Sequence, residues 1–427
     1  MLKNKTVRVL LLALAAFGLG MASSKTFYAA DLTYQQLKVL VDILDYVRDD
    51  YVEETDAQKL VYGAAEGIVR QLDDFSQFMD PELSKKVKSD TDGEFGGLGI
   101  RIAVRDGYIT IITPMPGTPA YKSGLLPGDR IVKIENELTK DMDADVVVSR
   151  LRGKPGTKVT ITIAREPENK NAPWITKEMT LVRETIKPEV VQHRMLENKI
   201  GYLHIVDFSG HVSEEVDKAL ADLKKNGMES LVLDLRYNPG GLLNAAVELC
   251  KYFLDGNKMI VYTKGRKPEN YAELRSNKTA VFANLPLIVL VNGGSASGSE
   301  IVAGALQDHK RGIIIGSRTF GKASVQTIIP LADGSGLRLT VAKYYTPSGR
   351  SIHRNPKDNS GGIAPDIEVK ISREDEIKIM EQYDKIYTPG KEPVAAVKNE
   401  IGDQALERAV QILKAREAFA TLGKSVS

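Results

Sequence analysis

Ser297 stands in Asn292-Gly-Gly-Ser-Ala-Ser-Gly-Ser-Glu300, directly after the apolar run Leu287-Ile-Val-Leu-Val291. Apolar residues Ile301, Val302, Ala305 and Leu306 follow at helical spacing. A buried strand that runs into a turn of small residues and then a helix presents a serine at a sharp corner. The helix N-terminal amides there face any negative charge that develops. A serine hydroxyl is a weak nucleophile at neutral pH and needs a base. The candidate base is Lys322, 25 residues on, in Thr319-Phe-Gly-Lys-Ala-Ser-Val-Gln326. Lysine accepts a proton only when neutral, so desolvation must lower its pKa from about 10.4. Phe320, Val325, Ile328 and Ile329 supply apolar surroundings for that. The combination describes a serine hydrolase with a Ser–Lys pair.

Other residues fit around this pair. Gln326 lies four positions beyond Lys322, a spacing that returns to one face of a helix or strand, so its amide can orient the base. Asp234-Leu-Arg-Tyr-Asn-Pro-Gly-Gly241 ends another apolar strand, and Gly240 or Gly241 can bring an amide close to a substrate oxygen. Gly298 supplies a second oxyanion donor next to the serine. Alternatives stay open at this level. Ser295 and Ser299 rival Ser297, His309 or His353 could serve a Ser–His–Asp arrangement, and Gly240-Gly241 could be a plain turn.

The elements that must position these residues fall into five segments. Residues 31–92 read as helical, with stripes Leu37, Val41, Leu44, Val47 and Leu60, Ala64, Ile68, broken at Asp73-Asp74 and Pro81. Residues 93–170 change to short strands, and Asp106-Gly107 between two of them marks a hairpin. From 171 to 374 strands alternate with helices, Met259-Ile-Val-Tyr262 among the strands, which implies parallel pairing through crossovers. Ligands in such sheets collect at strand C-terminal ends, where both Asn238-Pro-Gly-Gly241 and Ser297 lie. Residues 375–427 are charged and helical, with Ala405, Ala409, Ile412 and Leu413 in a stripe.

The order of these features resembles the C-terminal processing peptidases, also called tail-specific proteases. The likeness rests on Leu-Arg-x-Asn-Pro-Gly-Gly, Ser-Ala-Ser-x-Ser-Glu and Thr-Phe-Gly-Lys-x-x-x-Gln. It also rests on a PDZ-like string, Pro119-Ala, Gly124-Leu, Gly128-Asp-x-Ile131. The resemblance implies an α/β protease core of the kind shared with Clp-type proteases and crotonases, a PDZ domain, and helical N- and C-terminal segments. It places the nucleophile at Ser297, the base at Lys322 and the assisting amide at Gln326. Gly298 stands where many relatives have alanine. Gly97-Leu-Gly-Ile100 corresponds to the loop that receives a peptide's C-terminal carboxylate on backbone amides while the peptide adds as a strand. Arg152 resembles the position through which this domain contacts the protease body.

The 427 residues are enough for two or three domains, and 42 % hydrophobic with 27 % charged residues is ordinary for a globular protein. A net charge of +2 gives no basic field for nucleic acid. The single cysteine, Cys250, sits in an apolar run and reads as core. No cofactor or metal is expected, because the five histidines show no ligand spacing. Lys3, Lys5 and Arg8, the apolar stretch Val9 to Leu19 and the small residues Gly20 and Ala22 read as a signal peptide over 1–22, or an uncleaved anchor. An exported enzyme of the periplasm or cell envelope is expected. Its partners would be protein substrates with free C-termini, a second copy of the chain through the helical segments, and a regulatory adaptor.

Overall fold

The computed structural model describes residues 35–425, except 106, 116, 141, 143, 168–171, 278, 356, 358–359, 373, 376–377 and 380–401. The expected export segment lies outside the described residues. The chain divides into two compact units between Asp80 and Pro81. In the first, helix α1 (35–50) precedes α2 (Ala57–Arg70). Asp56 starts α2 because its carboxylate accepts from the amides of Gln58 at 2.9 Å and Lys59 at 3.3 Å. Leu37 and Val41 of the expected stripe are exposed.

Pro81 opens a helix rather than only breaking one. Helix α3 (Pro81–Asp92) begins with it, since a proline at the first helical position gives up only an amide that has no partner there. A β-rich domain follows, made of β1 (Phe95–Gly97), β2 (Ile100–Arg105), β3 (Tyr108–Pro114), helix α4 (Pro119–Lys122), β4 (Arg130–Ile134), helix α5 (Ala144–Leu151), β5 (Lys158–Arg165), β6 (Ile175–Val182) and β7 (Glu184–Ile186). Strands β2 to β6 form one antiparallel sheet in chain order, and β1 pairs with β7. Ile109, Ile111, Leu125, Ile131, Ile161 and Ile163 fill its core. The sheet runs past residue 170, where the sequence pattern ended the domain. Strand β6 pairs with β5 from Arg165↔Ile175 to Lys158↔Val182, and Leu181 joins the same core.

The remaining chain contributes β8 (Val191–Met195), β9 (Ile200–Ile205), helix α6 (Val212–Lys225), β10 (Ser230–Asp234), helix α7 (Leu243–Lys251), β11 (Met259–Gly265), β12 (Ala272–Arg275), β13 (Leu287–Val291), helix α8 (Gly298–Asp308), β14 (Ile313–Gly316), β15 (Ser324–Pro330), β16 (Gly336–Tyr345), β17 (Ile367–Glu368) and helix α9 (Gln404–Ser425). The main sheet has the order β8-β9-β10-β13-β14-β17, parallel from β9 onward. Side chains alternate across it. Leu203, Leu233 and Val289 meet α6, α7 and α8 on one face, while Tyr202, Val232 and Leu290 meet Ala405, Leu406, Ala409 and Leu413 of α9 on the other. Sealing both faces explains why the central strands are apolar throughout.

One strand departs from the expected parallel order. Strand β11 turns back through Pro268–Asn270 into β12 and pairs antiparallel with β12 and β16, while β15 pairs with β16. A strand after a helix reads as a crossover, but the short 266–271 connection favours the local hairpin.

Asp129, 1 % exposed, holds the β-rich domain to the end of β5. Its two oxygens accept from Arg165 Nε and Nη2, both at 2.7 Å, and Oδ2 also accepts from the Leu126 amide at 2.8 Å. Arg165→Ala leaves a buried carboxylate without its cation and should cost about 2–4 kcal/mol. Arg165→Lys should fall between, because an ammonium cannot span both oxygens. Thermal unfolding with hydrogen exchange over residues 93–182 reads this, and unchanged protection in Arg165→Ala would contradict it.

Candidate active site

Strand β13 ends at Val291, and the chain turns sharply through Asn292 to Ser297 before α8 begins. Ser297 has φ +51° and ψ −108°, a conformation that costs an L-residue energy and needs surrounding structure to hold it. It is 8 % exposed, whereas Ser295 and Ser299 are fully buried. Those two hydroxyls are already occupied. Ser295 Oγ donates to Leu235 O at 2.8 Å and accepts from the Asn292 amide, and Ser299 Oγ donates to Asn238 O at 3.0 Å. Of the three serines, only Ser297 keeps access to solvent.

Glu300 ties this turn to the lysine loop. Its carboxylate is fully buried, and Oε2 accepts from the amides of Ser297 and Lys322, each at 2.9 Å. Oε1 accepts from the Gly321 amide at 2.7 Å and from Thr319 Oγ1 at 2.6 Å. The Phe320 amide donates to Ser295 O at 3.0 Å. Burial pushes the Glu300 carboxyl above its ordinary value, against the pull of the Thr319 hydroxyl and the three amides. Glu300 belongs to the serine motif, yet the motif alone assigns it no role. A glutamate three residues after an N-cap serine is a capping-box signal that could have found it.

Lys322 is half-buried and lies two residues before the start of β15. Desolvation lowers its pKa, and the positive charge of Arg338 lowers it further. Gln326 is on β15 opposite Thr340, at the point where the pairing jumps from Ala342 to Thr340 and leaves Val341 as an extra residue. Such a bulge re-aims neighbouring side chains. His309 bonds Met259 O from the far end of α8, one 11-residue helix and so about 16 Å of rise away from Ser297. His353 precedes Arg354, whose amide bonds Gly321 O at 2.9 Å.

The glycine loop after β10 packs directly on the serine turn. A Cβ on Gly240 would come within 2.6 Å of Ser297 Cβ. The Gly240 amide is taken by Asn238 Oδ1 at 2.8 Å, and Asn238 Nδ2 donates to Ile205 O at 2.9 Å. Among the described residues, the amides of Gly241 and Gly298 meet no acceptor. Gly241 is therefore the member of the pair able to donate outward. The Phe208 ring fills the space beside Gly298, 3.0 Å from where an alanine methyl would sit. The motif contains Arg236 without assigning it a role, and Asp403 carries no motif at all. Arg236 is buried between Asp234 and Asp403, which is 167 positions away and gives no local signal.

Gly97, Leu98, Gly99, Ile100 and Arg152 line one cavity of about 230 Å³, with Phe95, Ile102, Val148 and Leu151. The carbonyls of Leu98 and Gly99 accept from Ala120 and Met115, and among the described residues their amides meet no acceptor. Gly99 has φ +72°, and a Cβ there would lie 2.4 Å from Thr118. Arg152 sits over the Phe95 ring at 4.2 Å and donates to Asp90 of α3 at 3.3 Å. The next residue of α3, Thr91, accepts from the amide of Gly210 in the protease body. Among the described residues, no group of three or more His, Cys, Asp or Glu side chains could hold a metal ion. Burial pushes the Cys250 thiol well up, in keeping with a core residue.

Two substitutions test this geometry. Gly240→Ala, at φ +99° and against Ser297, should abolish turnover with the protein still folded. Glu300→Gln turns one end of the clamp into a donor facing donors, and should lower kcat about a hundredfold or more. Steady-state kinetics with circular dichroism checks both, and a fully active Glu300→Gln would remove the clamp from the account.

Residues 199–369 match peptidase family S41, and residues 110–165 match a PDZ domain. The chain is 42 % identical over 354 residues to a carboxy-terminal-processing protease of Bartonella bacilliformis, covering 82 % of this chain and 79 % of that one. It is 35 % identical over 350 residues to the carboxy-terminal processing protease CtpA of Bacillus subtilis, covering 81 % and 71 %. A crystal structure from Bacteroides fragilis shares the fold, with a TM-score of 0.51 at 19 % identity over 87 % of this chain and 97 % of that one. With a buried serine corner, a PDZ groove and relatives this similar over most of its length, the chain belongs to the carboxy-terminal processing proteases of serine peptidase family S41.

Proposed function

We propose that this protein is an exported endopeptidase that binds protein C-termini in its PDZ groove and cleaves upstream with a Ser297–Lys322 dyad. The observation that carries this reading is the Glu300 carboxylate, bonded at once to the amides of Ser297 and Lys322. One buried group thus fixes the backbones of nucleophile and base together. In the reaction, neutral Lys322 Nζ takes the Ser297 hydroxyl proton as Oγ attacks the scissile carbonyl. The amides of Gly241 and Gly298 stabilise the oxyanion. The lysine ammonium then gives its proton to the leaving amine. Neutral again, it takes a proton from water as that water attacks the acyl carbonyl, and returns it to Ser297 Oγ as the C–Oγ bond breaks and the new carboxylic acid leaves. Gln326 orients the lysine. Arg152 couples the groove to the protease body through α3. Export rests on the Lys3 to Ala22 segment, and cell fractionation tests it.

Ser297→Ala should abolish hydrolysis of an internally quenched peptide. Lys322→Ala should be about as severe, because members of one catalytic unit fail together. Lys322→Arg should not rescue, since a guanidinium stays protonated. The neutral amine is the active form, so activity should rise with pH as Lys322 loses its proton. Desolvation and Arg338 lower its pKa, which moves that limb below the ordinary lysine range. Arg338→Ala removes a repelling cation and should shift the limb to higher pH. A profile governed by one ionisation near about 6.5 would favour a histidine base instead.

At the groove, a free carboxylate on the amides of Leu98 and Gly99 makes charge-assisted hydrogen bonds that an amidated end cannot. Amidating the peptide's C-terminus, or ending it in aspartate against Ile100, Ile102 and Leu151, should weaken cleavage substantially. Equal rates for the three peptides would show that the groove does not read C-termini.

A further inference from the structure

Asp403 begins helix α9, with its main-chain oxygen accepting from the Glu407 amide at 2.8 Å and its carboxylate from the Leu406 amide at 3.1 Å. The same carboxylate receives both terminal nitrogens of Arg236, Nη1 on Oδ1 at 2.9 Å and Nη2 on Oδ2 at 2.8 Å. Arg236 is 4 % exposed, and the other edge of its guanidinium is held by Asp234 through Nε at 3.0 Å and Nη2 at 2.6 Å. Tyr202 donates to Asp234 at 2.8 Å. One cation is thus fixed by two buried carboxylates, one from the strand that carries the glycine loop and one from a helix at the other end of the chain.

Arg236 is two residues from Asn238, whose side chain sets the Gly240 turn and so aims Gly241. Between them Tyr237 takes φ +59°, and its amide is held by Asn292 Oδ1 at 3.0 Å. Several bonds hold this bent loop from the protease core: Asn292 at Tyr237, Ile205, Ala296 and Ser299 at Asn238, and Phe208 at Gly240. Arg236 adds the bonds that tie it to helix α9.

We propose that Asp403 is a positioning residue for the oxyanion donor. By locking Arg236 it makes the docked C-terminal helix a condition for a competent Asn238 to Gly241 turn. The proposal rests on the dyad mechanism with Gly241 as an oxyanion donor. Interactions with an oxyanion exist only in the transition state, so their loss lowers kcat and leaves KM nearly unchanged.

The full chain is assayed with an internally quenched peptide ending in a free apolar residue. Asp403→Asn should lower kcat about tenfold to a hundredfold with KM nearly unchanged. Asp403→Glu, which keeps the carboxylate, should recover part of that loss. Leu413→Ala weakens the packing of the same helix, where Leu413 is 6 % exposed, and leaves the ion pair intact. It should lower Tm by as much or more and keep kcat at temperatures well below unfolding. A kcat loss in Leu413→Ala equal to that in Asp403→Asn would reduce Asp403 to a stability role and overturn the proposal. So would an unchanged kcat in Asp403→Asn while Ser297→Ala is inactive. Equal turnover by wild type and Ser297→Ala would overturn the dyad assignment, and this proposal with it.

Discussion

The active site depends on one buried carboxylate. Glu300 lies in the first turn of α8 with no solvent exposure, and four donors from two loops converge on it. A carboxylate taken out of water is tolerated only when it is fully hydrogen-bonded. Here the donors are three main-chain amides and one hydroxyl, none of them a cation. Burial still wins over those bonds and raises its pKa. The consequence is geometric. If the lysine loop moved away, Glu300 would lose three of its four donors inside an apolar core, so the loop and the serine corner are held as one piece.

The sheet explains why the pieces meet at all. Strands β10, β13 and β14 are parallel neighbours, and the Asn238 to Gly241 loop, the Ser297 turn and the Thr319 to Lys322 loop all leave from their C-terminal ends. Each loop then borrows polar groups from the next. Asn292 Oδ1 accepts from the Tyr237 and Gly294 amides, and Asn238 O accepts from the Ala296 amide and the Ser299 hydroxyl. Phe208 closes the arrangement, its amide bonded to Gly240, its carbonyl to Leu242 and its ring set against Gly298. The strained Ser297 backbone survives because so many bonds over-determine it.

The PDZ groove and the serine corner are linked by short steps with known partners. Arg152 bonds Asp90, and the next residue, Thr91, holds Gly210, two residues after Phe208. The Arg152–Asp90 pair is partly exposed, with side chains 30 % and 51 % accessible, so by itself it is weak. Its setting over the Phe95 ring adds a second contact for the same guanidinium.

Much of this protein is legible in the residues alone. The strand–turn–helix at Ser297, the lysine 25 positions on and the paired glycines are local patterns visible in residue type and spacing. The stripe Ala405, Ala409, Ile412, Leu413 marks an apolar helix face in the sequence, which offered that helix to a second copy of the chain. The fold instead packs Ala405, Ala409 and Leu413 on its own sheet and leaves Ile412 partly buried. What lies outside local pattern had to come from the fold. The hairpin that takes β11 out of the parallel sheet, and the run of the PDZ sheet on to Val182, depend on which strand wins as a pairing partner. The choice of Gly241 over Gly240 depends on where one Asn238 oxygen points. The Arg236–Asp403 pair joins positions 167 residues apart. Covalent geometry sets the distances between near neighbours, so residue type and spacing determine which groups are present and which of them share a face. Which distant donors fill a buried acceptor is decided only when the chain closes on itself and every desolvated polar group must find a partner.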